Sequence, residues 1–79
     1  MDGSIALSAS DRKTLLQVYR SASGLASRRA HVVLLAADGW SVRDLRRATF
    51  ASFDFITQTL RHYRRHGVEG ILEDESPRP

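Results

Sequence analysis

The chain contains no cysteine. Disulfide staples and thiolate zinc sites are therefore excluded, and no oxidising compartment is required. Long apolar runs are missing too. The longest, Val32 to Ala37, is far too short to cross a bilayer. The first residues, Met1-Asp2-Gly3-Ser4, lack the basic and apolar blocks of a signal peptide. The expected setting is the cytoplasm, close to the nucleoid, with no membrane partner. There is no glycine-rich phosphate loop and no convincing acid–base pair. Glu69, Glu73, Asp74 and Glu75 cluster near the C-terminal end, away from any rigid scaffold that a catalytic carboxylate set needs. An enzyme is not expected, nor a cofactor, a metal or a small-molecule substrate. Lysine is almost absent: Lys13 stands alone among 12 basic residues. The other cations are arginines, whose planar fork suits phosphate oxygens and guanine edges.

What is present fits one small domain. A chain of 79 residues buries only about 60% of the surface it exposes when unfolded, so its core is thin. The net charge of +3 is unevenly spread. Residues 41–66 hold six basic and two acidic residues, whereas residues 67–79 hold one basic and four acidic ones. We expect a helix-turn-helix domain over residues 1–72 and an acidic tail or linker over 73–79.

The hydrophobic pattern has the helical period and no trustworthy strand signal. Ser8 is placed to cap a first helix, with Asp11 three residues on. Leu15, Tyr19 and Ala22 form its expected stripe, widened by Leu16 and Val18, and Ser21-Ala22-Ser23-Gly24 ends it. A second helix runs from about Leu25 to Asp38. Its centre, Ala30 to Ala37, is apolar on nearly every side except at His31, which marks the core helix. Gly39 is its left-handed stop. Ser41 caps a short third helix over Val42–Ala48, with Asp44 in the capping-box position and Trp40 and Leu45 as a hydrophobic staple. A turn, Thr49-Phe50-Ala51, leads to Ser52, which caps a fourth helix. The expected stripe there is Phe53, Ile56, Leu60 and Tyr63, with Phe53 toward the rim. Gly67 stops it, Val68 reaches back to Tyr63, and Leu72 folds back from the tail. The fold class is all-α: a small four-helix domain, homeodomain-like or winged-helix-like, with no significant sheet.

A short helix, a tight turn and a second helix carrying arginines make a helix-turn-helix. In that geometry the second helix enters the major groove and the first crosses the phosphate backbone. The candidate base-reading residues are Phe53, Asp54, Thr57, Gln58 and Arg61. Gln58 suits adenine and Arg61 suits guanine or phosphate. The candidate phosphate-binding residues are Ser41, Arg43, Arg46, Arg47, Ser52, Arg64 and Arg65. The two serines sit at helix N-termini, where backbone N–H groups attract anions. The expected partner is double-stranded DNA.

Three blocks resemble a known family: Leu7-Ser8, Arg29-Ala30-His31-Val32-Val33-Leu34-Leu35-Ala36-Ala37-Asp38-Gly39, and Gly67-Val68-Glu69-Gly70-Ile71-Leu72. Together they are similar to the N-terminal DNA-binding domain of bacterial insertion-sequence transposases of the mariner superfamily. The resemblance spans about Leu7 to Leu72. It implies binding to a terminal inverted repeat, with catalysis in a separate downstream carboxylate-triad domain. Five positions depart from the family pattern. Arg46 stands where a small residue is usual, and Thr49-Phe50 where the turn is usually Leu-Gly. Phe53 often aligns with a basic residue, and Thr59 with a tryptophan.

A rival view starts from Phe50, Phe53 and Phe55. Exposed together, they suit a homodimer or another protein partner, and the chain becomes an interaction module that has lost DNA binding. His62 and His66 have the i,i+4 spacing of a metal pair, but without a third ligand they are not taken as a site.

Overall fold

The computed structural model describes residues 5–21 and 24–72. They form five helices: α1 (Ala9–Ser21), α2 (Leu25–Ala37), α3 (Val42–Thr49), α4 (Phe53–His66) and α5 (Val68–Leu72). The described residues contain no strand. The expected stripe residue Ala22 and the expected tail, residues 73–79, lie outside the described residues.

Three serines start three of these helices. The Ser8 hydroxyl accepts from the Asp11 N–H at 3.0 Å, Ser41 from Asp44 at 3.2 Å, and Ser52 from Phe55 at 3.0 Å. Each bond satisfies one of the donors a helix start leaves orphaned. α2 ends as its glycine requires. Gly39 takes φ 96°, a region closed to most side chains, and its N–H reaches Ala36 O at 3.0 Å.

α2 is the axis of the fold and touches the other four helices. Ala30, Val32, Val33, Leu34 and Ala36 are buried along it, as its all-round apolar centre requires. Leu15 from α1, Leu45 from α3, Ile56 and Leu60 from α4, and Ile71 from α5 close the core around it. One polar bond ties α1 to α4: Tyr63 Oη donates to Asp11 Oδ2 at 3.1 Å. Burial, then that bond and the carboxylate's charge, push the Tyr63 pKa above its ordinary value. On the surface, Arg12 and Asp38 pair at 3.5 Å; an exposed pair of this kind contributes little.

Four details differ from the sequence expectations. First, a fifth short helix follows Gly67, and it is Ile71 that is buried; Leu72 is 47% exposed. α5 lies tight against α4 at Gly70. A Cβ there would stand 3.0 Å from His62 O and 3.1 Å from side-chain atoms of His62 and His66. Secondly, Leu16 and Tyr19 on α1 are exposed. The buried side turns through Leu15 and Val18, and Tyr19 instead stacks on His31 with ring centroids 4.6 Å apart. Thirdly, Phe53 leaves the buried stripe of α4 and is 54% exposed, while Thr59 is buried with Ile56, Leu60 and Tyr63. Residues 56, 59, 60 and 63 fall on one side of a 3.6-residue helix, and Phe53 opens at its edge.

The fourth is Trp40. Its N–H bonds Leu35 O at 3.2 Å, but its side chain is 39% exposed. A fully buried aromatic truncated to alanine costs about 3–5 kcal/mol. With much of the ring already in water, Trp40→Ala is expected to cost about 2 kcal/mol. In a domain of this size that lowers the melting temperature by about 8–16 °C. Thermal unfolding followed by circular dichroism checks it; an unfolded variant would mean that Trp40 anchors the core.

Candidate nucleic-acid interface

α3, the turn and α4 form the helix-turn-helix. The turn is built without glycine. Phe50 adopts the left-handed conformation, φ 60° and ψ 19°, and its N–H bonds Arg46 O at 3.0 Å. The Thr49 hydroxyl locks the turn by donating to Leu45 O at 2.7 Å and accepting from Ala51 N–H at 3.3 Å. A left-handed residue with a Cβ costs about 1–2 kcal/mol. The Phe50 ring returns none of that through burial, because the residue is 89% exposed.

The buried stripe of α4 sets what the helix presents outward. On the 3.6-residue period, Asp54, Gln58, Arg61 and Arg65 fall opposite Ile56, Leu60 and Tyr63, and all four are exposed. Phe53, Thr57 and Arg64 flank that face on one side, Phe55, His62 and His66 on the other. The Thr57 hydroxyl is turned inward to its own helix, bonding Phe53 O at 3.0 Å and Asp54 O at 3.2 Å. This leaves its methyl as the group it offers outward.

On α3, Arg43, Arg46 and Arg47 are exposed, and they line a surface depression with Phe50 and Ala51. Arg46 is therefore no packing residue, and the small side chain expected there is not needed. Arg64 and Arg65 in the last turn of α4 suit its negative end. Among the described residues, none of Arg43, Arg46, Arg47, Arg61, Arg64 and Arg65 takes part in an ion pair. The capping hydroxyls of Ser41 and Ser52 are engaged as acceptors, so each keeps its own O–H for donation.

Residues 23–72 match the family described as Homeodomain-like domain. The chain belongs to this family. The match covers α2 to α5 and leaves α1 outside it. No curated protein and no solved structure matches the chain.

Two residues of this homeodomain-like domain were not among the site candidates. The Arg28 guanidinium lies over the Phe55 ring, 5.1 Å from its centroid. Arg29 lines a cleft with Phe55, Gln58, Thr59 and His62. The start of α2 thus brings two more cations to the side of α4. The only signal in the sequence is the Arg28-Arg29 pair itself, immediately before the apolar block, and nothing there ties it to Phe55. Phe55 is half-buried and packed against the core, so it separates from Phe50 and Phe53, which stay open. The His62 and His66 rings stand 5.1 Å apart. Among the described residues, no group of three metal-ligating side chains comes together, and no helix is long and apolar enough to cross a membrane.

Proposed function

We propose that this domain binds double-stranded DNA with α4 in the major groove and α3 across the backbone. The observation that carries the reading is the set of six exposed arginines on α3 and α4, none of them in an ion pair among the described residues. Unpaired cations on a helix-turn-helix are the electrostatic footprint of a polyanion site. Gln58 and Arg61 read base edges from the outward face, while Arg43, Arg46, Arg47, Arg64 and Arg65, with Ser41 and Ser52, take phosphates. Arg28 and Arg29 join the phosphate set at the flank. The target is the terminal inverted repeat of an insertion element, and the resemblance of the Arg29–Gly39 and Gly67–Leu72 blocks to transposase N-terminal domains supports it.

The test is the salt dependence of binding to a short duplex. With about four to six phosphate contacts, log K falls with log salt at a slope of about −4 to −5. A flat salt response, or no duplex binding in low salt, sinks the reading.

One observation favours a second reading. Phe50 at 89% and Phe53 at 54% exposure are apolar surface that the described fold leaves uncovered. In an interaction module they form the contact with a second copy or another protein, and duplex affinity is then absent.

A further inference from the structure

We propose that Phe53 makes α4 a thymine reader: its ring covers the C5-methyl of a thymine in the major groove, with Phe50 carrying the apolar contact on to the neighbouring sugar edge. This rests on the DNA reading above and names what its first turn recognises.

Four observations carry it. Phe53 opens α4 and is exposed, so its ring leads the helix into whatever the helix enters. Phe50 holds a left-handed turn position with almost no burial in the described fold. The surface around Phe50 is cationic, since Arg43, Arg46 and Arg47 line the same depression. A second copy would set these cations against their equals, whereas a nucleic acid brings phosphates to them. Finally, Asp54 places a negative charge in the first turn of α4. That charge disfavours phosphate on the outward face of the first turn, so this face meets base edges while Ser52, at the cap, keeps to the backbone side. Thymine alone among the bases offers a methyl in the major groove, and phenylalanine is one of the side chains that contacts it.

The experiment compares two short alternating duplexes, one of dA and dT, the other with deoxyuridine replacing every thymidine. They share phosphates and base-pair hydrogen bonds and differ only in the C5-methyl. The unmodified domain is expected to bind the thymine duplex about fourfold more tightly per methyl covered. Phe53→Ala is expected to bind both duplexes with the weaker affinity, and Phe53→Leu to keep a preference. Unchanged melting temperatures establish that both variants fold, which the exposure of Phe53 favours. Salt-dependent but equal binding of the two duplexes by the unmodified domain overturns the thymine proposal and leaves DNA binding standing. A thymine preference that survives in Phe53→Ala also overturns it and moves the contact to the Thr57 methyl. Binding to neither duplex in low salt overturns the proposal and the DNA reading together.

Discussion

Ile71→Ala is expected to lower the stability of the domain by about 3 kcal/mol, the middle of the range for truncating a buried aliphatic side chain. Ile71 is completely buried, from a helix of five residues that closes the core against α2, α4 and α1. A domain of this length has a total stability of about 4–12 kcal/mol, so the loss is a large share of it. The melting temperature should fall by about 12–24 °C. Leu72→Ala is the control. Leu72 is nearly half exposed, and its truncation is expected to cost less than about 1 kcal/mol. The pair fixes the rotation of α5: the reverse order of effects would mean that Leu72, not Ile71, enters the core. Thermal or urea unfolding of the two variants decides it.

The second large effect is on affinity. Replacing Arg43, Arg46 and Arg47 together by alanine should weaken duplex binding on the order of a thousandfold, at about 1.5 kcal/mol for each charge-assisted bond lost. The salt slope should become shallower by about 3, one unit per phosphate contact. All duplexes should suffer alike, because a phosphate contact holds no sequence information. The helix itself should persist, since alanine is the strongest helix former and the three arginines are exposed. Gln58→Ala and Arg61→Ala should behave differently, each costing about 1–3 kcal/mol at one base position. A filter-binding or anisotropy competition across a set of duplexes separates the two patterns. Sequence-dependent loss in the α3 triple variant would move base reading to α3. Unchanged sequence preference in Gln58→Ala and Arg61→Ala would remove α4 from the groove.

These two experiments fall on opposite sides of what was legible beforehand. The arginines of residues 41–66 stand out in the sequence because charge needs no partner to be seen. The role of Ile71 does not, because a buried residue in a one-turn helix is defined by what packs on it. Gly67 reads as the stop of α4, and the five residues after it are too few to show a helical period.

By itself, the sequence determined the features that arise within a few residues of chain. Ser8, Ser41 and Ser52 cap their helices because an N-cap hydroxyl needs only the N–H three residues on. Gly39 ends α2 because only its own backbone must turn. The apolar centre of α2 announced its burial because no side of it suits water. Tertiary structure alone decided where amphipathic residues point. Tyr19, Trp40 and Phe53 carry the same hydrophobic signal as buried aromatics, yet each is exposed to the extent its neighbouring helix fails to reach it. Thr59 is polar and buried, because it occupies the position on α4 that faces the core. Arg28 meets Phe55 only because α2 and α4 pack together. Capping is a local hydrogen bond and burial is a property of the whole assembly, so the first is written in adjacent residues and the second only in the packed fold.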